Sequence, residues 1–288
     1  MADWLDQELQ ALAQGQSPQM EEIPGEMLRQ TLVIGGDGVM VPFRSQKGTA
    51  QGKTVWREVK VGILARLQQH HNRAGDIIGR LQHRRLVAIL GDIDAFSERL
   101  WLEALRQGII DSPQVVWLSD GARGFWGLFD RRFAPYAYGV LDFYHASQNL
   151  WRGVKGWLDG RTTQARVWFD DARHRLRHGG ENAVLEDIAS ALALPDLPES
   201  AKVSLTKLYN YLDKHRDHIQ YDHLKNMGLP IGSGLVESAC KWLIQQRFKG
   251  VGMRWSEEGF NHLLHLRLAW VNGRFDALFE AQLPSPKS

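Results

Sequence analysis

The chain has 288 residues, 43% hydrophobic and 24% charged, the balance of a soluble globular protein long enough to bury a sizeable core. A formal net charge of +2 excludes a globally basic binder, so any polyanion site must come from local clustering. The one cysteine, Cys240, excludes an internal disulfide framework and a Cys-rich zinc site, and no apolar run of about 18 residues is present to span a membrane.

The N-terminus is acidic and amphipathic, and Trp4, Leu5, Leu9 and Leu12 predict a helix over 3–15 rather than a targeting peptide. A polar, proline-bearing loop follows. "TLVIGGDGVMVPFR" (31–44) predicts a strand, a glycine break at 35–38 and a second extended piece. "QKGTAQGK" reads as a turn and "TVWREVKVGIL" as the partner strand, making 31–64 a β-meander. In 83–109 a short buried strand at 86–90 precedes a helix that starts near Ser97 and ends at Gly108. Residues 113–133 repeat that plan, with a strand at 115–118, then Asp120, Gly121 and a helix; 137–158 repeat it again around Asp142. Strand–helix units after a meander predict a mixed α/β sheet.

From about 145 to 229 the pattern is helical throughout, an all-α insertion. A helix then starts at Ser233 and stops at Gly250 or Gly252, and a last one is capped by Ser256 with Glu257 and Glu258 in its first turn. The chain thus divides into an N-terminal helix and linker (1–30), the first part of the sheet core (31–150), the insertion (151–229), C-terminal helices completing the core (230–280) and a disordered tail (281–288).

Three acids stand out by position. Asp37 lies at the glycine break, Asp120 follows a strand, and Glu237 lies near the start of a late helix. Open α/β sheets place chemistry at the carboxyl ends of strands. Hard divalent cations take carboxylate oxygens, and a pair of them can drive phosphoryl transfer. The glycines beside Asp37 and Asp120 leave room for a phosphate or a partner strand, although Asp-Gly is equally a turn signal. Asp92, Asp94 and Asp142 compete for the same role. Asp142, three residues before His145, reads as a metal or supporting pair, or as a helix cap beside a packed histidine.

"DGVMVP", "WLSDGARGFW", "LDFYHASQNLW" and "IGSGLVESACKWLIQQRFKGVGMRW", in that order, resemble the DDE transposases of bacterial insertion sequences, the ISKra-type group in particular. The resemblance spans roughly 31–272, and its last motif is the most specific. It implies a ribonuclease-H-like α/β fold with an all-α insertion before the last catalytic helix. It implies catalytic, metal-binding Asp37, Asp120 and Glu237, which breaks the tie in favour of Asp120. Asp142 and His145 match a recurring Asp-x-x-His motif and take a supporting or DNA-positioning role. Such transposases usually carry a longer N-terminal region for recognising element ends, so this chain is expected to be truncated, a product of a split gene, or a decayed copy.

The implied chemistry is Mg²⁺-dependent hydrolysis of a DNA phosphodiester, with two ions and Mn²⁺ as a substitute, followed by strand transfer. The implied partners are transposon ends, target DNA and further copies of the chain, in a bacterial cytoplasm. Lys241, Arg247, Lys249 and Arg254 would hold phosphates and Trp255 would stack on an unpaired base. In the insertion Arg166, Arg173 and Arg177 share one helix face. His215, His218 and His223 fit no zinc pattern and read as polar surface or phosphate contacts. Two alternatives remain: a non-catalytic DNA-binding protein derived from a transposase, and another metal-dependent nuclease of the same fold. For Glu237 itself the bland reading is an i,i+4 surface pair with Lys241.

Overall fold

In the computed structural model, which describes residues 2–45, 52–71, 73, 75 and 77–276, the chain opens with α1 (Ala2–Ala13) and one turn of helix, α2 (Gly25–Leu28). Strand β1 (Thr31–Phe43) then runs without interruption through the glycines that predict a break. The reason is its partner: β2 (Val55–His71) pairs with it antiparallel along its whole length, from Thr31 opposite Leu67 to Phe43 opposite Val55. Main-chain bonds carry the ladder where side chains are missing.

Strand β3 (Ile77–Leu90) is far longer than the apolar pentapeptide at 86–90. Its first half pairs with the exposed, polar end of β2, an extension that buries little and so has no apolar signature. Helix α3 (Ile93–Arg106) begins about a turn before Ser97. Asp92 caps it, accepting a hydrogen bond from the Ala95 N–H at 2.8 Å, while Ser97 is buried. Gly108, at φ +68°, ends it as expected. After β4 (Val115–Ser119) come α4 (Arg123–Leu128) and a π-helical continuation, Phe129–Phe133, then β5 (Tyr138–Leu141).

The five strands form one mixed sheet in the order β3-β2-β1-β4-β5, with β4 and β5 parallel to β1. This arrangement is compatible with a ribonuclease-H-like fold. The helical stretch comprises α5 (Phe143–Leu158), α6 (Thr163–Arg177), α7 (Glu181–Leu192), α8 (Glu199–Lys214), a 3₁₀ turn (Arg216–His218) and α9 (Tyr221–Asn226). Then α10 (Gly234–Ala239), a π-helical segment (Cys240–Gln245) and α11 (Gln246–Phe248) run on as one rod. Helix α12 (Glu257–Val271) starts at Ser256, whose hydroxyl accepts from the Gly259 N–H. Of the turn expected at 46–53, residues 46–51 lie outside the described residues, as does the tail expected at 281–288.

The sheet separates two apolar cores. One holds Phe96, Leu100, Trp117, Phe125 and the helical insertion; the other packs Val39, Val41 and Phe43 under Leu243, Phe248 and Phe260. Among the described residues, no helix is long and apolar enough to cross a membrane. An ion network fastens the N-terminal segment to this frame. Glu21 accepts from Arg85 Nε at 2.9 Å, from Gln107 Nε2 at 2.7 Å and from Arg274 Nη2 at 3.1 Å. Burial alone would raise its carboxyl, but these donors outweigh that and hold it at about 2. A carboxyl depressed in the fold stabilises it above its unfolded value and loses that contribution as pH falls. The stability gap between the native chain and Glu21→Gln is therefore full at neutral pH. It should close between about pH 4.5 and about 2, read by chemical denaturation across that range.

Candidate active site

Strand register sets the site out. Gly36 lies opposite Ser119, and Ser119 opposite Leu141. The next residues, Asp37, Asp120 and Asp142, therefore form a row across three parallel strands at their carboxyl edge. Strand β1 continues past this row while β4 and β5 end at it, which leaves Asp37 at an open sheet edge. Alternation puts Asp37 on the face of Val39, Val41 and Phe43, beneath the C-terminal helices.

The glycines do a different job from admitting a phosphate or strand. A side chain at Gly35 would collide with Val236, one residue before Glu237. At Gly36 it would meet the Phe125 ring, on the helix after Asp120, at 2.7 Å. At Gly121 it would collide with the Tyr211 ring of α8. Gly35, Gly36 and Gly121 thus each seat a helix that carries or braces another part of the site, while Gly38 leaves room for the Glu58 side chain of β2. These supports were missed by the sequence reading; their signal was the glycines themselves.

Asp120 is half-buried. Its carboxylate accepts from the Ala122 N–H at 3.0 Å, and its carbonyl accepts from the indole N–H of buried Trp126 at 3.0 Å. Trp126 is stacked by His215 and His218, with ring centroids 4.6 and 4.5 Å away. This corrects the surface reading of those two histidines. His215 is buried and burial pushes its imidazole down to about 4, so it packs as a neutral ring. Asp92 and Asp94 leave the contest, one as the α3 cap and the other paired with Arg131 at 3.1 Å on the surface.

Asp142 is 0% exposed and fully engaged. One oxygen accepts from the His145 N–H at 2.6 Å and from His145 Nδ1 at 3.0 Å; the other accepts from the Ser233 N–H. Burial would raise this carboxyl, but the bonds to His145 and Ser233 prevail and hold it below the usual range. The Asp142 bond in turn raises the His145 imidazole, helped by the charges of Asp120 and Glu237. Since the Phe143 N–H also donates to the Ile231 carbonyl at 2.8 Å, the loop entering α10 is tied to the β5–α5 corner.

Glu237 is exposed on α10. Burial raises the Asp37 carboxyl, and the facing charges of Asp120 and Glu237 add to that against the Gly38 N–H. The buried Cys240 thiol lies 4.0 Å from Asp37 and stays protonated, pushed up by burial and by the charges of Asp37 and Glu237. Among the described residues, Asp37, Asp120 and Glu237 make no ion pair, so the i,i+4 pair with Lys241 is not formed. The π segment beginning at Cys240 carries the chain off that α-helical spacing. Asp37 feels the charges of the other two acids, yet among the described residues no three His, Cys, Asp or Glu side chains converge enough to hold a metal ion. Unneutralised carboxylates repel. The donor set, all hard oxygens in no described ion pair, still suits a hard divalent ion once the side chains rotate together.

Neither family models nor curated proteins match this chain. It overlays on a chain of the Drosophila P element transposase strand transfer complex with a TM-score of 0.42 and 10% identity, over 86% of this chain and 78% of that one. A likeness that weak assigns no family.

Of the cations singled out, Lys241, Arg247, Lys249 and Arg254 are exposed. Lys249 stands over the Trp56 ring, 5.6 Å from its centre, and Arg254 donates to the Gly52 carbonyl at 2.8 Å. Trp255 is taken up in packing: it stacks edge-on against Phe248 and donates its N–H to the Phe248 carbonyl at 3.0 Å. An indole open to solvent beside Lys249 is that of Trp56, 53% exposed, which the sequence reading missed. Arg173 and Arg177 both lie over the Phe143 ring, at 5.7 and 5.5 Å, beside the Asp142 corner, while Arg166 is exposed further along α6.

Asp142→Ala strips an ionised acceptor from two backbone N–H groups and should cost about 3 kcal/mol of stability, measured by denaturant unfolding. In the same variant the His145 imidazole should fall toward the ordinary value near ~6.5, followed by NMR titration of the ring protons.

Proposed function

We propose that the protein is a metal-dependent DNA transposase of the DDE type, on a ribonuclease-H-like core, related to the ISKra-type insertion sequences. The reading rests on one observation. Asp37 lies at the carboxyl edge of a mixed sheet, and Asp120 and Glu237, from distant points of the chain and in no described ion pair, are near enough for their charges to add to burial in raising its carboxyl.

In this reading Asp37, Asp120 and Glu237 hold Mg²⁺, two ions in the full site, with Mn²⁺ as a substitute. Bound there, the metal supplies an activated water or 3′-hydroxyl and stabilises the leaving oxygen of a phosphodiester. The chain's own groups do the rest. Asp142 fixes the His145 ring at the edge of the site. Gly35 and Val236 hold the Glu237 helix against β1. Lys241, Arg247, Lys249 and Arg254 line a surface for DNA phosphates, with Arg173 and Arg177 on the other side of the Asp142 corner. Copies of the chain would bring two element ends together.

A second reading is a DNA-binding protein without metal chemistry, favoured by the fact that the described acids do not converge as they stand. The two separate in a nicking and joining assay on labelled DNA with and without Mg²⁺ or Mn²⁺. A transposase should cut only with metal, and Asp37→Asn, Asp120→Asn or Glu237→Gln should lower the rate by at least about a hundredfold with the fold intact by circular dichroism. Joining of the freed end distinguishes it from another nuclease. Independently of activity, Mn²⁺ should raise the unfolding midpoint of the native chain and leave that of Glu237→Gln nearly unmoved. Tight DNA binding with neither effect would establish the second reading.

A further inference from the structure

The catalytic reading uses one end of α5. Its next two turns are left over, and they form a cleft with α6. Tyr144, Gln148 and Trp151 recur at i, i+4 and i+7 along α5; Arg166, Phe169 and Arg173 recur at i, i+3 and i+7 along α6. Both spacings lay their residues along one helix face, so two stripes confront each other across about 480 Å³. Trp151 and Phe169 meet edge to face, with ring centroids 5.1 Å apart, and brace the wall they share. Tyr144, immediately before His145, is 57% exposed and rests against Gly232, where a side chain would lie 2.9 Å from its ring. The wall carries one acid, Asp170, against two arginines, and among the described residues neither arginine is ion-paired. A core would not leave a large ring more than half exposed and two cations without an ion pair around an open apolar floor.

We propose that this cleft binds an unpaired nucleotide of the DNA strand whose phosphodiester lies at the acid row. Its base stacks against Tyr144, and the flanking phosphates are held by Arg173 and Arg166. Aromatic faces stack on any base and guanidinium groups take the backbone, so the site selects unpaired over paired DNA without reading sequence. The inference rests on the transposase reading for its substrate and extends it with a preference for frayed or single-stranded ends next to the cut.

The test is a fluorescence titration, without metal, of a short duplex with a single-stranded overhang containing 2-aminopurine, against the same duplex blunt-ended. The native chain should prefer the overhang and quench the probe. Tyr144→Ala should lose about tenfold in overhang affinity and most of the quenching, with blunt binding unchanged. Tyr144→Phe should restore both, and Arg173→Ala should weaken the overhang more than does Lys202→Ala, a control at an exposed lysine of α8 outside the cleft. Equal overhang binding by the native chain and Tyr144→Ala overturns the proposal. So does a free nucleoside monophosphate that displaces the overhang as well as a single strand does. The nicking assay on the native chain is scored separately. Metal-dependent cutting with no Tyr144 effect removes only the cleft, whereas a Tyr144-dependent preference without cutting removes only the catalytic reading. Absence of all DNA binding removes both.

Discussion

The site depends on a buried carboxylate that does no chemistry in the proposed reaction. Asp142 joins parts of the chain that are 91 residues apart, because one of its oxygens receives the Ser233 N–H while the other holds His145. An ionised carboxylate removed from water is costly unless its lone pairs are met, and here they are. The charge that must be satisfied fixes the loop entering α10, and so fixes where Glu237 stands relative to the sheet. The helical insertion, which occupies the intervening chain, is free to vary in shape only as far as it returns Ser233 to that oxygen.

The insertion also acts on the second acid. Tyr211 on α8 presses on Gly121, and His215 and His218 stack on the Trp126 that holds the Asp120 carbonyl. Asp120 therefore has rigid packing behind it even though it sits on the residue after a strand. Its position owes as much to aromatic contacts arriving from 90 residues away as to the sheet.

Where period and turn chemistry agreed, the elements could be read from the chain: the N-terminal helix, β4 and β5 with their acids, the long helical stretch, and the Ser256 cap. Asp120 and Asp142 were legible for the same reason, since each follows an apolar run, whereas Asp37 was marked only by its glycines inside β1. Three things were not. The glycines of β1 suggested a break because their partners, Val236 and Phe125, come from elsewhere in the sequence. The first half of β3 buries too little to show an apolar pattern. Trp255 and Trp56 could not be told apart, since exposure of an indole is decided by tertiary packing and not by neighbours along the chain. The contacts that brace the acids belong to the same class: glycine can be seen in a sequence, but what fills the space beside it cannot.

The π-helical segment between Glu237 and the basic surface has a consequence of another kind. A π turn holds one residue more than the α turn it replaces, and here Arg267 of α12 donates to two of its carbonyls, those of Trp242 and Leu243. Removing one residue from 240–245 would convert it to ordinary helix and turn everything beyond by about 100°. Arg247 and Lys249 would then face a new direction relative to Glu237, and Arg267 would lose its acceptors. Comparison of natural relatives should therefore treat a single-residue gap at this place as a change of surface geometry, accompanied by exchange of the residue at 267, and not as a neutral slip of alignment.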